Sequence, residues 1–174
     1  VIDIAKPLRW FLVNVLIIPK RKFASGKAYE AIWTDRGSPL LFHLRDLADK
    51  VRSLARDFEK VEIGMRYGNP SIESALESLE SAGVDEILVF PLYPQYAESS
   101  TRSSLEECRR IAKRLALKAK VKFVKDFYEH PAFIRAYVEE IKKTMNGTTP
   151  DRLLLSFHGL PERHVMRTDT SGSH

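Results

Sequence analysis

From residue 61 onward, short apolar runs alternate with amphipathic stretches, and that alternation limits the fold more than any other feature of the chain. Residues 61–67 (VEIGMRY), 86–91 (EILVFP), 121–127 (VKFVKDF) and 153–157 (LLLSF) each read as a strand. The runs at 86–91 and 153–157 are nearly continuous in apolar character, as expected for strands buried on both faces. The first intervening helix opens at Asn69-Pro70 and closes at Gly83, a usual C-terminal glycine. The second covers 99–117. The third covers 131–145, with Phe133, Ile134, Tyr137, Val138 and Ile141 at helical spacing, and Asn146-Gly147 turns the chain after it. The order βαβαβαβ predicts an α/β fold: a parallel sheet with helices on both faces and right-handed crossovers. Ligands of such sheets sit beyond the carboxyl ends of the strands. That rule selects the loops at 68–71, 93–100, 128–131 and 158–161.

Upstream, residues 1–60 form a helical region. Residues 1–35 read as irregular helix with breaks at Pro7, Pro19 and Gly26. The longest apolar run, Trp10 to Ile18, covers about half of the ~20 residues that a membrane-spanning helix needs. A buried helix is the expected reading, with a peripheral membrane contact as the alternative. Lys20, Arg21 and Lys22 follow it as a short basic cluster. From 38 to 58, Leu40, Leu41, Leu44, Leu47, Val51, Leu54 and Phe58 recur at three- and four-residue steps, one face of an amphipathic helix. Ser38 caps it and Pro39 takes its first position. The chain therefore divides at 60/61, without a repeat, a low-complexity segment or a linker.

Composition excludes several classes. With 174 residues the chain is one domain or part of something larger. Its 44% apolar and 29% charged residues are those of a globular protein, not a disordered or collagen-like one. One cysteine makes no internal disulfide and no Cys-x-x-Cys zinc pair, which suits a reducing, cytoplasmic setting. A net charge of +5, spread along the chain without a basic stripe, suits an anionic ligand and not a nucleic acid. No signal peptide or lipidation motif is visible. The chain opens on Val1 and stops at His174 inside a polar stretch, so it reads as a piece of a longer one.

Few residues are placed to carry chemistry. No Gly-x-Gly-x-x-Gly and no P-loop occurs, so the loop at 66–71 is expected to be a tight strand-to-helix turn and not a phosphate site. His43, amid leucines, and His130, before Pro131, are expected to be structural. His158 stands where an apolar run meets a Gly-Leu-Pro turn, facing the expected ligand crevice. There imidazole serves as a base near neutral pH or as a metal ligand. His164, six residues on, makes no helical ligand pair with it, and a zinc site lacks a third ligand. The loop Pro91-Leu92-Tyr93-Pro94-Gln95-Tyr96 is either a rigid wall for a flat aromatic ligand, with Tyr93 and Gln95 at its centre, or an ordinary packed loop. Ser99-Ser100-Thr101 reads as an N-cap cluster, and Cys108 as inert packing.

Three motifs in this order and spacing resemble the ferrochelatase family: Arg66-Tyr67-Gly68-Asn69-Pro70-Ser71-Ile72, Pro91 to Tyr96, and Ser156-Phe157-His158-Gly159-Leu160-Pro161. Val1-Ile2-Asp3-Ile4, Tyr29-x-x-Ile32-Trp33 and Gly37-Ser38-Pro39-Leu40 fit the same pattern, so the likeness spans essentially the whole chain. It implies a Rossmann-like, chelatase-type three-layer sandwich, one half of a two-lobed enzyme whose porphyrin lies in the cleft between the lobes. The implied reaction is insertion of Fe(II) into protoporphyrin IX or coproporphyrin III in haem formation. His158 falls on the active-site histidine of the family, assigned to pyrrole proton abstraction, to metal binding or to both. Arg21, Tyr29 and Ser38 fall on positions that contact the macrocycle or its propionates, and residues 8–18 resemble the hydrophobic lip through which porphyrin enters. A positive rim suits propionates, and apolar walls suit a flat macrocycle.

The chain also departs from the family pattern. The opening strand with its Leu-Gly-Thr-Pro-like loop and the whole second half are absent, including the acidic residue that faces the histidine. Arg102 replaces a glycine, and Thr168-Asp169-Thr170 stands where Gly-Asp-Pro is usual. No cofactor beyond substrate Fe(II) is implied. An iron–sulfur cluster of the animal type would need a cysteine near Glu98, and there is none; one ligated from beyond His174 stays open. With one wall of the cleft, this chain alone is expected to be inactive. The alternatives are a non-catalytic tetrapyrrole- or haem-binding module with His158 as axial ligand, and a cobalt or nickel chelatase of the same fold, against which the Pro-Gln-Tyr loop argues.

Overall fold

A computed structural model describes residues 5–169. Val1 to Ile4, part of the family resemblance, and His174 lie outside them. The chain divides into two compact units between Ile63 and Gly64.

The first unit is helical. Helix α1 (Lys6–Phe11) runs into a wide, π-helical turn (Leu12–Ile17) and on into α2 (Ile18–Glu30). The expected breaks at Pro19 and Gly26 do not occur, whereas Pro7 stands at the start of α1. Pro7 and Pro19 each occupy the first turn of a helical segment, where a missing N–H costs little. Pro19 cannot donate back to Val15. The preceding turn widens instead, so that Ile18 N–H bonds to the carbonyl of Val13, five residues back. The expected burial of the apolar run is also not seen. Trp10 is 64% exposed, and Phe11, Val15, Leu16 and Ile18 are exposed with it.

Next comes a tight turn. Thr34 and Gly37 exchange backbone hydrogen bonds (3.1 and 2.8 Å), with Gly37 at φ +87°. Helix α3 (Pro39–Leu54) starts where the serine-proline pair placed it but stops four residues short of Phe58. Ser38 has the extended backbone of a cap without a side-chain cap hydrogen bond. Arg36 holds the helix start from outside. It forms a bidentate pair with Asp46 (2.6 and 3.0 Å) and lies 4.4 Å from the centre of the Phe42 ring. The guanidinium draws the Asp46 carboxyl below its usual range.

The second unit carries the sheet. Helix α4 (Ile72–Ser81) is opened by Ser71, two residues later than the expected Asn69-Pro70. Ser71 Oγ accepts from Ser74 N–H (3.0 Å) and Ser74 Oγ from Ser71 N–H (3.1 Å), a reciprocal cap. Strands β1 (Glu86–Val89) and β2 (Lys120–Phe123) pair in parallel, Glu86 opposite Lys120 and Val89 opposite Phe123. Between them lie a π-helical turn (Glu98–Arg102) and helix α5 (Ser103–Arg114), the long connection that parallel strands require. Helix α6 (Pro131–Met145) keeps its expected bounds, and a short α7 (Glu162–Thr168) follows.

The sheet is smaller than the pattern predicted. Among the described residues, 61–67 contributes one parallel bridge, Met65 to Ser71, and 153–157 joins no ladder. Leu154 is 90% exposed. Nor is β1 buried on both faces: Ile87 is buried, whereas Leu88 is open. The core lies on one side, where Ile72 and Leu76 of α4, Ile87 of β1 and Cys108 and Ile111 of α5 pack with Ala119. On α5 the buried positions Ser104, Leu105, Cys108 and Ile111 form one stripe.

Gly64 meets this core at close range, since a Cβ there would lie 3.1 Å from the Ile72 Cα. Gly64→Ala is therefore expected to cost about 1–3 kcal/mol of stability, read from urea unfolding; an unchanged midpoint would contradict the close packing.

Candidate functional site

Strands β1 and β2 are parallel, so their carboxyl ends lie at one edge of the sheet. Two of the four expected loops leave from that edge, and a backbone bond joins them: Phe127 N–H donates to the Pro94 carbonyl (3.0 Å). The loop after β1 is fastened elsewhere too. Thr101, fully buried, donates from Oγ1 to the Gln95 carbonyl (3.4 Å), and Ala97 is buried. Lys125 Nζ lies 5.2 Å from the centre of the Tyr96 ring. This clamped backbone leaves the Tyr93 and Gln95 side chains exposed.

The expected capping role of Ser99-Ser100-Thr101 is not seen, because neither the π-helical turn nor α5 has a side-chain cap bond and Thr101 faces the Gln95 carbonyl. Arg102 is taken up by Glu98 (Nη1 to Oε1, 2.8 Å). In the loop after β2, His130 caps α6: its Nδ1 accepts from Ala132 N–H (3.2 Å). Glu129, then burial and Asp126, push the neighbouring Tyr128 hydroxyl above its usual range, so it stays neutral.

His158 is exposed, on a stretch at 152–161 without regular structure, and not at the end of a strand as expected. Phe157 and Leu160 beside it are exposed. Three residues beyond Pro161 the chain is anchored again. His164 of α7 is 2% exposed, its Nε2 is 4.0 Å from Glu98 Oε2, and neither ring nitrogen has a hydrogen-bond partner. Arg167 Nη1 lies 3.6 Å from the same carboxylate oxygen. Sequence reading set His164 and Glu98 aside, and no local signal marks them, because a seven-residue helix shows too little period to reveal a buried face.

In the first unit, Arg21 and Tyr29 stand eight residues apart on α2, about 12 Å along its axis, and both are exposed. Ser38 lies between Gly37 and α3. Each trio of expected site residues thus belongs to one unit: Arg21, Tyr29 and Ser38 to the first, Tyr93, Gln95 and His158 to the second. His43 is exposed, its ring 4.3 Å from that of Phe42. Among the described residues no three of His, Cys, Asp and Glu converge to hold a metal ion. Arg66, in the turn before α4, is engaged by Ser103 Oγ (3.2 Å) and the Tyr67 ring (4.7 Å), in keeping with a tight turn.

Cys108 is buried, and burial, then Glu107, pushes its thiol up to about 11. It is expected to resist a thiol reagent at pH 8 in the folded chain and to react stoichiometrically in urea; rapid labelling without denaturant would contradict this.

The ferrochelatase family model matches residues 1–171. The chain is 41% identical over 167 residues to a ferrochelatase of Bdellovibrio bacteriovorus, covering 96% of this chain and 50% of that protein. It is 42% identical over 172 residues to a ferrochelatase of Ectopseudomonas mendocina, covering 99% of this chain and 50% of that protein. With a ferrochelatase of Coxiella burnetii it shares 41% identity over 168 residues, 97% of this chain and 46% of that protein. The chain thus spans about half the length of the curated relatives it matches. With the motif-bearing loops on a parallel α/β unit and the family pattern running from residue 1 to residue 171, this chain belongs to the ferrochelatase family.

Proposed function

We propose that this chain is the N-terminal half of a ferrochelatase that inserts Fe(II) into a porphyrin, protoporphyrin IX or coproporphyrin III. One observation carries the reading. At the carboxyl edge of the parallel pair, the loop at 91–96 has its backbone fastened while Tyr93 and Gln95 stay open, and His158 is open six residues before an anchor, His164, beside Glu98. Tyr93 and Gln95 would form one wall for a flat macrocycle, and His158 would face its centre. Arg21, Tyr29 and Ser38 would meet the macrocycle or its propionates, a guanidinium being suited to carboxylates. Residues 1–60 would be the region that carries the porphyrin lip, 61–174 the core of the first lobe, and a second lobe outside this chain the opposite wall.

Metal insertion exchanges one divalent cation for two pyrrole protons. A neutral imidazole at His158 would take one proton as a general base, or would hold Fe(II) through the same nitrogen while it sheds water; it cannot do both at once. The second proton would leave through a group of the second lobe. Fe(II) enters as substrate, and the reaction needs no resident cofactor.

The exposed Trp10, Phe11, Val15, Leu16 and Ile18, next to Lys20, Arg21 and Lys22, support a peripheral contact of residues 8–18 with the inner face of a membrane. No described helix is long and apolar enough to cross one. A cytoplasmic location fits the single buried thiol.

The test is zinc insertion by the full-length protein, with zinc in place of Fe(II) and zinc-porphyrin fluorescence as the signal. Turnover of protoporphyrin or coproporphyrin, with none of sirohydrochlorin, is expected. Tight haem binding without metal insertion would favour a binding module instead.

A further inference from the structure

His164 is the only buried residue between Asp151 and Arg167. It is also the only described residue with buried side-chain nitrogens that lack hydrogen-bond partners. Buried polar atoms are rarely left that way, so the ring needs a partner close by. The partner it faces is Glu98, with Oε2 at 4.0 Å from Nε2. That carboxylate also meets Arg102 (2.8 Å) and Arg167 (3.6 Å), while Glu162 and Arg163 are the charged residues flanking His164 on its own helix.

The positions of the two residues give this contact its significance. Glu98 begins the turn that follows the loop at 91–96, and Thr101 of the same turn bonds back to the Gln95 carbonyl. His164 lies in the first turn of α7, where its N–H bonds to the Pro161 carbonyl (2.8 Å), and Pro161 ends the Gly-Leu-Pro turn after His158. A short path therefore runs from the Gln95 carbonyl through Thr101 and its turn to Glu98, across the 4.0 Å approach to His164, and on to the turn beside His158. The geometry points to His164 as a positioning residue: in the working protein its Nε2–H closes the 4.0 Å gap, donates to Glu98 and so latches the His158 turn to the loop that carries Tyr93 and Gln95. The consequence for metal insertion rests on the reading of His158 given above; the latch itself rests on the geometry alone.

The full-length protein would be compared with His164→Phe, which keeps a ring and loses the donor, and with His164→Gln, whose amide N–H still reaches a carboxylate. Hydrogen exchange of peptides covering 156–168 and zinc-insertion kinetics are read together, with peptides from β1 and β2 reporting whether each variant stays folded. His164→Phe is expected to speed exchange at 156–168 about tenfold and to lower kcat about tenfold, with KM for porphyrin unchanged. His164→Gln should recover most of both losses. Unchanged exchange in His164→Phe, or a Gln variant no better than Phe, would overturn the latch. Faster exchange with unchanged kcat would overturn the positioning role. An unaltered full-length protein that inserts no metal would sink the reading of His158 instead, and the exchange data would then decide the His164–Glu98 contact alone.

Discussion

The full-length protein carrying His158→Ala is expected to insert zinc into porphyrin at least about 100-fold more slowly than the unaltered protein, since a positioned general base contributes ~10²–10⁴ in rate. His164 offers no substitute, being buried with its ring turned to Glu98. Porphyrin binding, measured by quenching of porphyrin fluorescence, should change little, because Tyr93 and Gln95, the proposed wall residues, sit on a loop fastened through the backbone and not through His158. Turnover within about threefold of the unaltered protein would remove His158 from the mechanism.

The second large effect concerns the 174-residue chain by itself. It is expected to insert zinc at least about 1,000-fold more slowly than the full-length protein, because positioning of reactants alone reaches effective molarities of ~10⁵ M or more in well-oriented sites. The physical ground lies around His158: residues 151–163 carry no buried side chain, and Leu153, Leu154, Leu155 and Phe157 all face solvent. A histidine on such an open segment neither holds a macrocycle against the metal nor keeps water out. Fluorescence turnover and porphyrin binding measured on the same sample separate lost chemistry from lost binding. A rate for the isolated chain within tenfold of the full-length rate would show that half the length of the curated relatives suffices.

Local chemistry was legible where neighbours in sequence supply the partners. Helix α6 keeps its expected bounds because Pro131 suits a first turn, the His130 ring caps it and Asn146 takes the left-handed conformation at its end, with Gly147 at φ +80°. The three loop motifs, spaced along one chain, likewise carried the family. Helix continuity through Pro19 was not legible, since a proline reads as a break unless the preceding turn widens, and the sequence does not mark that widening.

Strand pairing was legible only in part. The runs at 86–89 and 120–123 found each other across α5, whereas 61–67 and 153–157 show the same apolar signature without a ladder among the described residues. Apolar character marks a wish for burial and does not say what does the burying. Leu88 and Ile87 are both aliphatic, and only Ile87 is covered.

The sequence by itself determined the α/β class, the bounds of α6 and the loops that carry Tyr93, Gln95 and His158, because turn chemistry, capping and motif spacing act over a few residues. Only the tertiary structure decided which apolar runs pair, that Trp10, Phe11, Val15, Leu16 and Ile18 stand open, and that His164 is buried beside Glu98. Each of these depends on which distant parts of the chain come together and which do not, and for His164 and Glu98 the separation is 66 residues (164 − 98).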